Sequence, residues 1–145
     1  MKTTTNNIFN PGNYPNNVSS ALLILRVVIG IFMLTHGWGK MQTLFSGEPI
    51  QFADPIGLGA SFSLALTVFA EVLCSILIIV GLGTRFAAIP LLITMLVAVF
   101  IVHANDGFGK QELGLLYAAM YGAIALAGAG KFSLDYLLFK SKNNH

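Results

Sequence analysis

The chain has 145 residues, 55% of them hydrophobic and 10% charged, with a formal net charge of +2; its mean hydropathy is +0.75. An ordinary soluble domain carries roughly 25% charged residues, and a small domain needs them to cover a large surface for its volume. The composition therefore excludes most soluble enzymes, disordered chains and nucleic-acid binders, and the lone Cys74 excludes an intrachain disulfide, a multi-cysteine zinc site and a four-cysteine iron–sulfur site.

Residues 1–19 carry six Asn and two Pro and lack a basic stretch followed by an apolar one, so they read as a flexible cytoplasmic tail and not as a cleaved signal. The first apolar span covers 21–38 and holds one charge, Arg26, and one histidine, His36. Pro49, Pro55, Gly57 and Gly59 break the loop that follows. A second span, 62–82, holds one charge, Glu71. Gly83, Thr84 and Arg85 join it to a third, 86–102, and so short a link makes the two helices antiparallel neighbours. The fourth span is 113–130, and neither it nor the third contains a charge. A helix crosses about 30 Å of hydrocarbon with roughly 20 apolar residues, so the expected fold is an all-α integral membrane four-helix bundle over residues 20–131. Residues 132–145 mix aromatic, apolar and basic side chains and suit a cytoplasmic interfacial segment or a simple helix end.

Lys2, Arg85, Lys131, Lys140 and Lys142 flank the spans on the side of the termini, against Lys40 and Lys110 on the other. The positive-inside bias then places both termini in the cytoplasm. Gly114, Ala118 and Gly122 give the fourth span a small-residue face for close helix contact. The sequence also echoes itself. His36–Gly37–Trp38–Gly39–Lys40 and His103 followed by Gly107–Phe108–Gly109–Lys110 each place a histidine before Gly–aromatic–Gly–Lys. Two pseudo-symmetric helix hairpins would produce such an echo; chance similarity is the rival.

Ionisable groups inside a span are costly and need partners. Arg26 and Glu71 lie at neighbouring depths counted from the ends of their spans, which suggests a buried ion pair between them. Snorkelling of Arg26 to the headgroups is the alternative. Ser63, Thr67, Glu71 and Ser75 recur every four residues with Cys74 beside them, a polar ridge on the second helix. His36 and His103 fall at matched depth near the outer surface, with Trp38 and Lys40 close in sequence to the first. These four form a candidate redox or proton-coupling site, since imidazole exchanges protons near neutral pH and a cation stabilises developing negative charge. The plainer reading makes each histidine an interfacial residue bonded to a loop. No metal site is expected, because no further histidine falls in a span.

Leu25–Arg26 leading to His36–Gly37–Trp38–Gly39–Lys40, then Ala70–Glu71, Gly83–Thr84–Arg85, His103 and Ser133–Leu134–Asp135, resemble in order and spacing the DoxX family. The resemblance runs from about Val18 to Leu138. It implies a bacterial inner-membrane protein of four helices. Related DoxD-type proteins are subunits of thiosulfate:quinone oxidoreductases, and DoxX-type proteins are linked to membrane redox and oxidative-stress complexes. The chain is therefore expected to be a quinone-interacting subunit of such a complex, with quinone as candidate cofactor. A membrane or periplasmic redox partner would complete it, in the lipid bilayer and without nucleic acid, and a homo-oligomer is left open. A non-catalytic membrane anchor or assembly factor, and a small transporter or proton conduit, are the competing readings.

Overall fold

The computed structural model describes residues 10–142; expectations for 1–9 and 143–145 lie outside the described residues. Four long helices and one short one follow in order: α1 Asn16–Phe45, α2 Ala60–Val80, α3 Thr84–Val102, α4 Phe108–Ala127 and α5 Leu134–Lys142. No strand occurs among the described residues. Three helices, α1, α2 and α3, are long and apolar enough to cross a membrane. The fourth differs because its first turns carry Lys110, Gln111 and Glu112, leaving Leu113–Ala127, about 22 Å of helix, as its apolar part.

The helices alternate in direction as two hairpins, α1–α2 and α3–α4, with α2 and α3 in contact between them. Ile29 and Met33 of α1, Cys74 and Ile78 of α2, Leu91 and Met95 of α3, and Tyr121 and Ile124 of α4 meet in one buried core. The outward faces carry Ile24, Phe32, Phe69, Ile93, Phe100 and Leu116, all exposed. That inside-out distribution is what a hydrocarbon solvent permits and water does not.

Hydropathy marks a span, not the end of a helix. The first helix therefore runs to Phe45, seven residues beyond the expected 38, through Lys40, Gln42 and Thr43, which all accept helical geometry. Its contact with α2 depends on glycine. A Cβ at Gly37 would lie 2.9 Å from Glu71 Cβ and 3.1 Å from the Glu71 carbonyl carbon, and one at Gly30 would lie 2.4 Å from Ile79 Cγ1. Only bare backbone permits helices this close.

Two helices contain π turns, Phe69–Cys74 in α2 and Ala98–Val102 at the end of α3. Nothing in the sequence signals them. Each widens the local coil by one residue and rotates the side chains that follow.

The end bearing the described terminal segments is tied together by charged side chains. Arg26, fully buried, donates from Nη1 to the carbonyls of Ile78 at 3.0 Å and Ile79 at 3.3 Å, and from Nη2 to that of Phe132 at 2.6 Å. Arg85 donates to Ala125, Leu126 and Ala127. Each arginine thus sits at the carbonyl end of a helix, α2 and α4 respectively, where the dipole favours a cation. Asp135 does the converse, accepting from the amides of Gly83 at 2.7 Å and Thr84 at 3.0 Å at the start of α3. The stretch expected to be a flexible tail is anchored over its described part. Arg85 Nε donates to the Asn10 carbonyl, Tyr14 Oη donates to the Ala127 carbonyl at 2.9 Å, and the Gly130 amide donates to the Pro11 carbonyl at 2.7 Å. Its polar backbone finds partners there, so it need not stay in solvent.

The two echoing motifs sit in different local structure. His36 to Lys40 lie inside the continuous helix α1, whereas His103 ends α3 and Phe108 to Lys110 begin α4. Similar residues occupy a helix interior in one place and a helix–turn–helix boundary in the other.

Candidate functional site

The expected pairing of Arg26 with Glu71 is corrected by the register of α1 on α2. Gly37 faces Glu71, and Arg26 stands 11 residues earlier, about 16 Å along the axis. An arginine side chain cannot span that distance. Lys40, one turn beyond Gly37, grips the carboxylate instead, with Nζ 2.6 Å from Oε1 and 2.7 Å from Oε2. The Glu71 side chain is 3% exposed and that of Lys40 34%. The carboxylate is thus withdrawn from solvent, and its cation remains the accessible member of the pair.

The polar ridge divides into separate tasks. Ser63 Oγ donates to Asp54 Oδ1 at 2.9 Å, and the same carboxylate accepts from the amides of Leu58 and Gly59 at 2.8 Å each. Asp54 thereby ties the loop to the start of α2. The Gly59 amide, followed by the Ser63 hydroxyl and the Leu58 and Gly57 amides, holds its carboxyl below the usual carboxylate range, against a smaller opposing effect of burial. Thr67 returns its hydroxyl to the Ser63 carbonyl. Cys74 is buried in the core, and Ser75 is buried beside the Tyr121 hydroxyl.

Between α2 and α3 lies a cavity of about 540 Å³. Leu66, Phe69, Ile93 and Val97 form apolar walls, Pro90 and Thr94 of α3 also line it, and Phe52, Pro55 and Ile56 of the loop lie over it. Lys40, Glu71 and His103 are its charged or ionisable lining residues, alongside the hydroxyls of Ser63, Thr67 and Thr94. Both π turns border it, contributing Phe69, Ala70 and Glu71 from one and Ala98 and Val102 from the other. Leu66, Phe69, Ile93 and Val102 are also exposed on the outer face of the bundle. The cavity is therefore a fissure reachable from the lipid-facing side, apolar along its walls and polar toward the loop end, the pattern of a small-molecule site.

His103 is held on several sides. Its amide donates to the Ala98 carbonyl at 2.9 Å, closing the π turn, and its carbonyl accepts from Gln111 Nε2 at 2.8 Å. Its Nδ1 lies 2.7 Å from Asp106 Oδ2, and Lys110 Nζ lies 3.7 Å from the same oxygen. The contact with His103, then the charge of Lys110, hold the Asp106 carboxyl below its ordinary value.

The expected meeting of the two histidines does not occur. His36 is absent from the cavity lining and exposed, with its ring edge-on to Tyr117 at 6.2 Å in the seam between α1 and α4. Tyr117 in turn stacks on Tyr121 at 6.1 Å. Matched depth left the azimuth undetermined, and α1 turns His36 away from α3. Trp38 is 57% exposed and also outside the cavity. Of the four residues expected there, Lys40 and His103 line it. Sequence reasoning missed the roof and its Asp54 tether; the residue at the N-cap of α2 is Gly59 and no side chain caps that helix, so the usual capping pattern does not mark it. Among the described residues no group of three or more His, Cys, Asp or Glu is placed to hold a metal ion.

The DoxX family model matches residues 21–104, more than half of the chain. "Putative oxidoreductase CatD" of Bacillus subtilis (strain 168) is 32% identical over 123 residues, covering 84% of this chain and 90% of that relative. "Inner membrane protein YqjF" of Escherichia coli (strain K12) is 29% identical, covering 82% and 92%. "Uncharacterized membrane protein Rv3486" of Mycobacterium tuberculosis (strain ATCC 25618 / H37Rv) is 32% identical, covering 83% and 82%. No solved structure matches. The matched segment contains Arg26, Lys40, Glu71 and His103, and its full-length relatives include proteins named for the membrane: the chain belongs to the DoxX family of membrane proteins.

Proposed function

We propose that this protein is the quinone-interacting subunit of a bacterial inner-membrane redox or oxidative-stress complex, with both termini cytoplasmic, four spanning helices and the α2–α3 fissure as the ligand site. One observation carries the reading. The fissure combines apolar walls reachable from the bilayer with Lys40, Glu71 and His103 in its lining. A lipid-soluble ring with a carbonyl oxygen needs that combination: lateral entry, apolar contact along the ring and tail, and a donor at the oxygen. Lys40 supplies a cationic donor whose position is fixed by Glu71, and His103 supplies a ring nitrogen that exchanges a proton with the ligand. Trp38 lies outside the ligand site in this reading, and His36 serves the α1–α4 seam. The name of the Bacillus subtilis relative agrees in reaction class.

Trp38 is the sole tryptophan, so its emission reports ligand binding without a label. Decylubiquinone titrated into the detergent-solubilised protein should quench it saturably. His103→Leu and Thr94→Phe, the second filling the fissure, should weaken binding tenfold or more, while His36→Leu leaves it unchanged. Equal quenching in all four proteins, or quenching that never saturates, contradicts the proposal.

A second reading, the non-catalytic anchor, draws on the opposite end of the molecule. Arg26, Arg85 and Asp135 all serve helix ends there, so a good part of the motif that carries the family resemblance has a purely structural use. A conduit reading would draw on Arg26, Glu71 and the Ser/Thr ridge; it is less supported, because Arg26 is committed to three carbonyls.

A further inference from the structure

The fissure contains one residue joined directly to the exposed turn at the loop end. His103 lines the fissure, while its Nδ1 lies 2.7 Å from Asp106 Oδ2 in that turn. The two side chains are 41% and 38% exposed. An ionised carboxylate only accepts, so Nδ1 carries the hydrogen and Nε2 is left as the ring's acceptor. The Asp106 amide also donates to the His103 carbonyl at 3.2 Å, closing the turn that sets the two residues facing each other.

We propose that His103 and Asp106 form a proton-transfer dyad that takes the hydroxyl proton of a quinol-like ligand and passes it to the water outside the loop end, with Asp106 as the positioning residue. The inference rests on the proposed ligand site and adds the direction of proton movement. The step balances without an oxidant. The ligand O–H bond breaks, its electron pair stays on the oxygen, and the proton forms a new N–H bond at His103 Nε2. The resulting imidazolium keeps its Nδ1–H bond to Asp106, whose charge compensates it, as in other orienting carboxylate–histidine pairs. Lys40, held by Glu71 in the same lining, faces the ligand oxyanion. Proton loss from the imidazolium to the exposed turn then resets the site.

The groups around the ring favour this assignment. Lys110 and Gln111 come from the start of α4: Lys110 lies 3.7 Å from Asp106, and Gln111 binds the His103 carbonyl. Lys40 and Glu71, from α1 and α2, line the same fissure. Asp106 is thus the only carboxylate in direct contact with the ring among the described residues. Its low protonation tendency, caused first by that contact and then by Lys110, keeps it ionised at neutral pH.

The test uses a heptyl hydroxyquinoline N-oxide, a redox-inert quinol mimic with one ionisable hydroxyl whose anion absorbs at longer wavelength than the neutral form. Binding is followed by Trp38 quenching, and the protonation state of bound ligand by its absorbance, at a pH where free ligand is neutral. The unsubstituted protein should bind it as the anion. Asp106→Asn should bind it as the neutral form, and Asp106→Glu should restore the anion band. Should Asp106→Asn bind nothing, restoration of both binding and the anion band by Asp106→Glu still supports the dyad, and failure to restore them overturns it. An anion band of equal strength in Asp106→Asn, or a neutral spectrum in the unsubstituted protein, overturns the dyad and leaves the ligand site standing. No binding to the unsubstituted protein overturns the dyad and the ligand site together.

Discussion

A carboxylate sealed inside a lipid-facing bundle needs a cation within reach, and which cation it takes is decided by helix register. Glu71 is buried and Lys40 a third exposed, so their losses are unequal. Lys40→Met leaves a desolvated carboxylate without its partner. Glu71→Gln leaves an ammonium that can swing toward solvent. Lys40→Met should therefore destabilise the protein more, by about 1–3 kcal/mol over Glu71→Gln, measured as the difference in unfolding free energy in detergent. Equal losses would show that the ion pair is not the buried carboxylate's main support. The cost of Glu71 was legible in the sequence; its partner was not. Depths counted from the ends of hydropathy spans missed the seven further residues of α1 that keep Lys40 helical, and they ignored the glycine contact that fixes register.

Elements fix what single residues cannot. The close seam between α1 and α2 depends on Gly30 and Gly37. A methyl at Gly37 would press on Glu71 backbone, which cannot move aside as a flexible side chain can. Gly37→Ala should separate the helices, lengthen the Lys40–Glu71 contact and cost about 1–3 kcal/mol, with Gly39→Ala, which meets nothing within 4 Å, as the neutral control. The loop over the fissure has its own switch. Asp54 accepts three hydrogen bonds and its carboxyl is held below the ordinary value of 3.8. A depressed value means the tether is complete above that pH and lost as pH falls through the lower, folded-state value. Amide exchange at Leu58 and Gly59, corrected for intrinsic rates, should accelerate on acidification below 3.8 and in Asp54→Asn at neutral pH. Protection that persists in Asp54→Asn would show that the loop is held by something else. The broken character of this loop was readable from Pro49, Pro55, Gly57 and Gly59, but its position over α2 and α3 was not, because a tether made by one side chain leaves no periodicity. The π turns were hidden for the same reason: they change hydrogen-bond partners without changing composition.

On the scale of the whole molecule, composition dictated the outcome most completely. Four apolar segments gave four long helices with many large apolar side chains outward, although the first turns of α4 carry Lys110, Gln111 and Glu112 and, among the described residues, three helices meet the length and hydropathy of a span. The proposed orientation has a direct check. Ser46, at the end of α1, is exposed, while the native Cys74 is buried. Ser46→Cys in a Cys74→Ala background should react with an impermeant thiol reagent in intact cells; reaction only after lysis would invert the topology. Two ends with different tasks then follow from one chain. Buried and half-buried charges fasten helix ends where the described terminal segments meet, and the opposite end carries the fissure with its exposed histidine–carboxylate turn. The sequence placed His36 and His103 at one level because rise per residue is regular. It could not place them on one side, because azimuth depends on how helices pack.

The central claim is that a lipid-soluble quinone occupies the fissure between α2 and α3. An azido-quinone photolabel in membranes containing the protein, followed by peptide mapping, tests it most directly. The expected result is label within residues 63–71 and 93–103, removed by excess unmodified quinone and reduced in Thr94→Phe. Label confined to the outward faces of α1 and α4, or label that unmodified quinone does not displace, would contradict it.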